Sequence, residues 1–419
     1  MENKNRLDWF LHDRFGMFIH WGIYAIPARG EWVRSNEKIP EEEYLPFFQE
    51  FNPTRFDPSL WARIANKAGQ KYAVMTAKHH DGFCMFDSAY TDFKSTRTPS
   101  GKDFVREYLD AFRAEGLKTG LYYSLIDWHH PDYPVDRLHP MRGNAEYAKK
   151  PRDFSRYLEY MHAQVKELLS NYGKIDVIWF DFSYDEMSGD KWNAEELVKT
   201  VRSLQPDILI DDRLVAGIYS LKKDLIFGDF ISPEQILPAE TPVNSAGKPL
   251  PWEACITLNE TWGYVNHADG YKSSSSVIRM LVECVSKDGN LLLNVGPDPL
   301  GRIPQKSIDI LREVGTWMDH NGESIFGCGA AGLPKPDWGF YTRKGSTLYA
   351  HILDKSIGSV RLRNLAGKVS RARLLSDGSE VSITLPWNTL DSHDAFLTLS
   401  GHALPDPIDT VVKLELKRL

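Results

Sequence analysis

Short apolar runs alternate with longer amphipathic segments along most of the chain. The apolar runs are nearly continuous, which is typical of parallel strands that are buried on both faces of a sheet. Six of these runs are predicted to be strands: Gly16–His20, Tyr72–Ala77, Thr119–Ser124, Ile175–Asp181, Ile208–Asp211 and Asn290–Val295. The alternation with amphipathic segments predicts repeated β-strand–α-helix units.

The amphipathic segments carry apolar residues at helical spacing. Four of them are predicted to be helices: Pro58–Lys67, Phe154–Leu169, Ala194–Leu204 and Ser276–Val285. Asp57 is placed to cap the first of these helices, and the serine run at 273–276 to cap the last. The chain has at least six strand–helix units, which is more than an ordinary doubly wound sheet contains. This number predicts a (β/α)8-like TIM barrel, a fold of about 250 residues before insertions.

The pattern changes near residue 332, where the chain becomes a series of short alternating runs. These runs are TLYAHI, SVRLRN, VSRARLL, VSITLPW, AFLTLS and VVKLEL, separated by turn residues. They predict a C-terminal antiparallel β-sandwich domain over residues 332–419, after a catalytic barrel over residues 1–331. The pattern leaves open whether this second domain packs on the barrel, binds carbohydrate or joins copies of the chain in a homo-oligomer.

Composition narrows the class of protein. The 419 residues are 42% apolar and 26% charged, which is typical of a globular protein, and the net charge of −7 argues against a nucleic acid or an anionic membrane as partner. No apolar run is long enough for a membrane span, and the N-terminus shows no apolar signal-peptide core. Four cysteines without a CxxC pair favour free thiols, so we expect a cytoplasmic protein.

Ionisable residues follow five of the predicted strands. They are His20, the run 79–81, Asp127, Asp181 and the run 211–213. Catalytic groups of parallel α/β barrels lie at the C-terminal ends of the strands, so this set predicts an enzyme. The 12 Trp residues fit a protein that binds sugar faces, although a large core would explain them equally well.

Asp181 is the sharpest single candidate, because an apolar strand delivers a lone carboxylate beside the indole of Trp179. A rigidly held carboxylate of this kind suits the nucleophile of a glycosidase, while capping of the next helix is the structural alternative. His79 and His80 raise the question of a metal, with His129 as a further ligand in a metal-dependent hydrolase. Adjacent strand residues point to opposite faces, however, and the chain has no HExxH motif, so we expect neither a metal nor a cofactor.

Eight motifs, in order from Trp9 to Pro304, resemble glycoside hydrolase family 29, the α-L-fucosidases. They are FGMFIHWGIYAIPARGEW, KHHDGFCMFDS, GLYYSLIDWHH, IDVIWFDF, DDR, GDFISPEQ, WEACITLN with the following TWGY, and GNLLLNVGPDPLGRIP. The resemblance implies a (β/α)8-like barrel with a C-terminal β domain. It also implies a retaining exo-α-L-fucosidase that removes terminal fucose from small fucosides or oligosaccharides by double displacement.

The resemblance implies catalytic roles for two carboxyl groups. Asp181 matches the nucleophile at the end of the family's W-x-D strand, and Glu234 is the choice for the general acid/base. Glu253 is its rival and Glu240 a third candidate, because the position of this group varies in the family. Residues implied around the sugar are His20, Glu31, Trp32, His79, His80, Tyr122, Trp179 and Arg213, with Tyr123 competing with Tyr122.

Two other functions stay open at this point. A glycosidase of the same fold could act on a related sugar such as an α-L-galactoside, which differs from a fucoside only at C6. A non-catalytic sugar-binding protein could keep the pocket without the reaction. The presence of both Asp181 and Glu234 argues against the second alternative.

Overall fold

The computed structural model describes residues 4–215, 224–225, 227–354, 358–385, 393–399 and 403–417. Its α-helices are α1 (Lys4–Asp13), α2 (Val33–Asn36), α3 (Glu41–Glu50), α4 (Pro58–Lys67), α5 (Phe104–Ala114), α6 (Ala145–Ala148), α7 (Phe154–Asn171), α8 (Ala194–Leu204), α9 (Ser274–Ser286) and α10 (Gln305–Asn321). None of these helices has the length and apolar composition that a membrane crossing requires.

Seven strands form one parallel sheet in the order β5-β4-β3-β2-β1-β7-β6. They are β1 (Phe15–Ile19), β2 (Tyr72–Lys78), β3 (Lys118–Ser124), β4 (Val177–Asp181), β5 (Leu209–Ile210), β6 (Glu253–Thr257) and β7 (Asn290–Val295). Every neighbouring pair is parallel, so the C-terminal ends of the strands lie at one edge of a curled sheet. The prediction of an α/β catalytic domain is confirmed, while a complete eight-stranded barrel stays a prediction.

The segment 229–235 lies between the two outer strands of this sheet. The Asp229 N–H donates to the Ile210 carbonyl over 2.7 Å, next to the end of β5. On the other side, the Glu253 N–H donates to the Ile231 carbonyl over 2.9 Å and the Cys255 N–H to Pro233 over 3.1 Å. Glu234 is therefore carried beside β6 at the same edge as the other strand ends.

The predicted helices agree closely with the structure. Helices α4 and α8 have the predicted bounds, and α7 continues two residues further, to Asn171. The Asp57 carboxylate accepts the Leu60 N–H and caps α4, and the Ser273 hydroxyl accepts the Ser276 N–H at the start of α9. Both capping predictions are confirmed, because a short oxygen-bearing side chain satisfies a free N–H of the first turn.

Aromatic side chains fill the space that the curled sheet encloses. Phe18, Tyr72, Tyr122 and Trp179 belong to one buried cluster inside the sheet, with aliphatic residues between them. Phe18 lies 5.3 Å from Trp179 and 5.9 Å from Tyr122, measured between ring centroids. This packed interior is a rigid floor for whatever binds at the C-terminal edge.

The C-terminal strands form two antiparallel sheets. One has the order β12-β15-β10-β9-β8 and the other β11-β14-β13. The strands are β8 (Gly329–Ala330), β9 (Gly339–Lys344), β10 (Thr347–Ile352), β11 (Val360–Leu362), β12 (Val369–Leu374), β13 (Ser382–Thr384), β14 (Ala395–Thr398) and β15 (Thr410–Leu416). A C-terminal β domain is thus confirmed, while the sandwich arrangement and the division at residue 331 stay predictions. The ends of two predicted runs, at 386–387 and at 400, lie outside the described residues.

Candidate active site

A pocket opens at the C-terminal edge of the parallel sheet. Of the two residues chosen for catalysis and the eight implied around the sugar, eight belong to its lining: His20, Trp32, His79, His80, Tyr122, Trp179, Asp181 and Glu234. The other two lie against it. Arg213 contacts both carboxylates of the lining, and the Glu31 carboxylate accepts the N–H of Gly263, the residue after lining residue Trp262.

Asp181 is the last residue of β4, and its side chain is only 12% exposed. The Tyr122 hydroxyl donates to its Oδ2 over 2.7 Å, and an Arg213 Nη donates to its Oδ1 over 3.2 Å. Burial raises the pKa of the Asp181 carboxyl to about 6, although Arg213 and the Tyr122 hydrogen bond lower it. The carboxyl is therefore mainly ionised at neutral pH, as attack on an anomeric carbon requires.

Arg213 links the two candidate carboxylates. One of its Nη atoms donates to Oδ1 of Asp181 and, over 3.1 Å, to Oε2 of Glu234. The second Nη atom also donates to Oε2 of Glu234, over 3.1 Å. The guanidinium is anchored by the Ser232 hydroxyl at 2.9 Å and lies over the Trp179 ring at 4.8 Å. Because the two carboxylates share one nitrogen, their oxygens fit the spacing of about 5–5.5 Å of retaining glycosidases better than the wider inverting spacing.

The three histidines of the pocket are uncharged. Burial lowers the pKa of His20 to about 3, and the pKa values of His79 and His80 also fall, through burial and through repulsion among the rings. Neighbours fix two of the rings: His20 Nδ1 lies 2.7 Å from the Asn294 amide oxygen, and His80 Nδ1 lies 2.7 Å from the Ser124 hydroxyl. Neutral imidazoles can donate and accept hydrogen bonds, which suits sugar hydroxyls.

His79 carries an orphaned polar atom. Its Nδ1 is buried and finds no hydrogen-bond partner among the described residues. A buried polar atom without a partner is costly, so this nitrogen marks His79 as a residue whose burial among the pocket residues is not explained by hydrogen bonding within the described chain. Within the described ranges, no group of three or more metal-binding side chains is present, and His129 is instead 2.6 Å from Glu41.

Strand pleating separates the two candidate tyrosines. Tyr122 faces the pocket and stacks on Trp179 with ring centroids 5.7 Å apart. Tyr123 points to the helical side, where its hydroxyl donates to Gln164 over 2.7 Å. Tyr122 is therefore the one placed to contact a sugar.

The three candidate glutamates lie in different places. Glu234 is on the rim of the pocket, with 21% of its side chain exposed. Glu253 begins β6 at the opposite end of the sheet interior, where it is 1% exposed and accepts the Tyr72 hydroxyl. Burial raises the pKa of Glu253 to about 8. Glu240 is exposed and lies outside the pocket lining.

Four lining residues were not singled out in the sequence: Phe18, Phe182, Cys255 and Trp262. Phe18 could have been found from its spacing, because residues two apart on a strand face the same side and His20 was a candidate. Trp262 and Cys255 lie in motifs that carry the family resemblance, but β6 was not predicted as a strand. Phe182 ends the motif IDVIWFDF, but its place in the pocket depends on a turn with an unusual backbone.

A pair of carboxyl groups at the C-terminal edge of a parallel α/β sheet, above a floor of imidazole and aromatic rings, is the arrangement of a glycoside hydrolase. Comparison with known proteins identifies the family of glycoside hydrolases to which the chain belongs. A family model described as Alpha-L-fucosidase matches residues 1–323. The chain belongs to the α-L-fucosidase family, which confirms the resemblance seen in the sequence.

Individual relatives agree with the family match. An alpha-L-fucosidase of Dictyostelium discoideum is 30% identical over 347 residues, covering 76% of this chain and 71% of the relative. The human plasma alpha-L-fucosidase is 32% identical over 346 residues, with coverages of 76% and 68%.

Solved structures show the same fold. Alpha-L-fucosidase isoenzyme 1 from Paenibacillus thiaminolyticus is 61% identical with a TM-score of 0.96, covering 99% of each chain. A GH29 alpha-L-fucosidase from Bacteroides thetaiotaomicron, trapped as a covalent intermediate with 2-fluoro-fucosyl fluoride, is 29% identical with a TM-score of 0.85 and coverages of 100% and 97%.

Proposed function

We propose that this chain is a retaining exo-α-L-fucosidase that removes terminal α-linked L-fucose from small fucosides or oligosaccharides. The family match supports the substrate. The observation that carries the mechanism is the pair of carboxylates, Asp181 and Glu234, held on one Arg213 guanidinium at the mouth of a closed-ended pocket.

The reaction has two displacements. In the first, the Asp181 carboxylate attacks the anomeric carbon while the protonated Glu234 carboxyl gives its proton to the leaving oxygen, so that a fucosyl ester forms and the glycosidic bond breaks. In the second, Glu234 takes a proton from water, and the water oxygen displaces Asp181 with retained configuration. Arg213 stays charged throughout and orients both carboxyl groups.

The pocket floor supports recognition of fucose. The neutral rings of His20, His79 and His80 offer hydrogen bonds to the ring hydroxyls. The indole of Trp179 and the ring of Phe18 offer an apolar surface to the C6 methyl group and the apolar sugar face.

The direct test is hydrolysis of p-nitrophenyl α-L-fucoside, with NMR of the first product. We expect release of p-nitrophenol and initial formation of the α-anomer of L-fucose. Faster turnover of the matching α-L-galactoside would reassign the substrate. A wild type that binds L-fucose but is inert on both glycosides would favour a sugar-binding protein.

The pH dependence of kcat/KM should report on Asp181. The active form needs Asp181 ionised, so we expect kcat/KM to fall tenfold per pH unit below an apparent pKa of about 6. The Tyr122 hydroxyl lowers this pKa, so Tyr122→Phe should move the acid limb to higher pH. An acid limb unchanged in Tyr122→Phe would contradict the assignment.

Glu253→Gln separates the two rival glutamates. Because burial raises the pKa of Glu253 to about 8, the group is mostly neutral at pH 7, and glutamine keeps its shape and accepts the Tyr72 hydroxyl. We expect kcat/KM within about threefold of wild type, since an amide can replace a neutral acid that lies away from the substrate. A loss of several orders of magnitude would move the acid/base role to Glu253.

We also propose that the segment 229–235 completes the curled sheet as an eight-membered barrel. Its hydrogen bonds to the β5 side and to β6 support this closure. We propose a cytoplasmic location as well, supported by four free and buried cysteines, which suit a reducing compartment.

A further inference from the structure

The pocket has a buried floor and a partly exposed rim. Floor residues such as His79, Tyr122 and Trp179 are at most 4% exposed. Four lining residues are only partly buried and form the rim: Trp32, Phe182, Glu234 and Trp262. If the proposed function holds, fucose lies in the closed inner part of the pocket, against the floor. The group that leaves from its anomeric carbon must then lie at the rim.

Phe182 stands on this rim through an unusual backbone. It follows Asp181 directly and has φ of 96°, in the left-handed region that residues with a Cβ rarely adopt. In this conformation the backbone N–H of Phe182 lowers the pKa of the Asp181 carboxyl. The chain therefore turns sharply after the strand and sends the Phe182 ring along the mouth of the pocket.

The turn is held firmly by its neighbours. The Ser183 hydroxyl donates to the Arg213 carbonyl over 2.6 Å and accepts the Trp192 indole N–H over 3.1 Å. Tyr184 and Met187 exchange two backbone hydrogen bonds, of 3.0 and 2.8 Å. A strained residue fixed in this way places its ring before any substrate arrives, which reduces the cost of ordering it on binding.

The rings of Trp32, Phe182 and Tyr184 form an aromatic ledge. The Phe182 centroid lies 5.4 Å from Trp32 and 5.3 Å from Tyr184. It also lies 5.0 Å from His80, whose Nε2 is 3.9 Å from Asp181, so the ledge begins at the reaction centre. Trp32 and Tyr184 are partly exposed and continue it outwards.

We propose that the aromatic ledge is the subsite for the leaving group and that it takes a six-membered ring with an apolar face, either an aryl group or a pyranose. Such rings stack on aromatic side chains through their apolar faces. Of the three rings of the ledge, those of Phe182 and Tyr184 lie outside the set that the family resemblance places around fucose. These two rings therefore determine which fucosides are cleaved well, while the floor determines that the sugar is fucose.

The test compares two donors with different leaving groups. p-Nitrophenyl α-L-fucoside loses an aromatic ring, whereas α-L-fucosyl fluoride loses a single atom that cannot reach the ledge. We expect Phe182→Ala to lower kcat/KM for the aryl donor by about threefold to tenfold relative to the fluoride. The inhibition constant of L-fucose should stay unchanged.

Matched variants isolate the ring. Phe182→Leu keeps apolar bulk and should behave like Phe182→Ala, while Phe182→Tyr keeps the ring and should restore the wild-type ratio of the two donors. All three keep a Cβ at the same φ, so the backbone strain is matched. Any shift of the Asp181 carboxylate affects both donors and cancels in the ratio.

Other outcomes overturn the inference in distinguishable ways. An equal loss on both donors, with weaker inhibition by L-fucose, would place Phe182 in fucose binding and remove the subsite. Unchanged kinetics in all variants would remove the ledge from the site altogether. A wild type inert on both donors would overturn the proposed function, and the subsite with it.

Discussion

Replacing Asp181 by glycine should lower kcat/KM for p-nitrophenyl α-L-fucoside by about 10⁴-fold or more, the scale of losing a nucleophile. Without the carboxylate no fucosyl ester can form, and water in the vacated space is a far weaker nucleophile. The fold should persist. Removal of the buried Asp181 carboxylate takes away the hydrogen bonds from Tyr122 and Arg213, but it also takes away the desolvation cost of burying that charge. Circular dichroism and L-fucose binding would check this.

Azide makes the role of Asp181 visible. In Asp181→Gly, azide can enter the space of the carboxylate and attack from the same face, so the expected product is β-L-fucosyl azide, with inversion from the α-fucoside. NMR of the product gives its configuration. Asp185→Asn is the matched control, because Asp185 is an exposed carboxylate on the following turn and its ion pair with Arg137 contributes little. Retained activity in Asp181→Gly would contradict the assignment of Asp181 as the nucleophile.

Much of the fold could be predicted because the sheet is buried on both faces. The run 290–295 is apolar enough that its bounds as β7 agree with the prediction, and β2 differs by one residue. β6 was not predicted, since it begins with Glu253 and its neighbour 229–235 pairs irregularly. A carboxylate inside a strand and a kinked partner both break the apolar pattern on which strand prediction depends.

The site was predictable where it depends on strands and unpredictable where it depends on turns. His20, Asp181 and Tyr122 end or face along apolar runs, so period-two alternation and the strand-end rule lead to them. Phe182 reaches the pocket only because of its positive φ, and Trp262 only because the chain folds back over β1. The turn at Phe182 contains no glycine that would indicate it, whereas Gly263 directly follows Trp262, and a glycine alone does not indicate which strand a turn approaches.

The position of Arg213 explains how two acidic groups can coexist at the reaction centre. Two carboxylates this close repel each other, and the charge of Glu234 is one of the causes that raise the pKa of Asp181. The charged guanidinium between them acts in the opposite direction and lowers the pKa of Asp181. Asp181 is therefore mainly ionised at neutral pH, as a nucleophile must be, although a second carboxyl group lies beside it.

Glu234→Ala should lose activity in a way that depends on the leaving group. For a poor leaving group, such as the hydroxyl group of a second sugar, kcat/KM should fall by about 10²–10⁴-fold, because the departing oxygen receives no proton. For 2,4-dinitrophenyl α-L-fucoside, whose phenolate needs little protonation, the first step should be nearly as fast as in wild type. The fucosyl ester on Asp181 should then accumulate, since no base activates the water, and a burst of dinitrophenol should precede slow turnover.

Azide distinguishes this variant from the first. With Glu234 removed, azide enters on the face from which the leaving group departed and attacks the fucosyl ester, so α-L-fucosyl azide is expected from Glu234→Ala where Asp181→Gly gives the β-anomer. Glu240→Ala is the control, because Glu240 is an exposed glutamate outside the pocket lining. A β-azide from Glu234→Ala would place Glu234 on the face of the nucleophile, whereas equal losses for all leaving groups would mean that Glu234 positions Arg213 rather than transferring the proton. Opposite azide configurations from the two variants can arise only if their carboxyl groups act on opposite faces of the sugar.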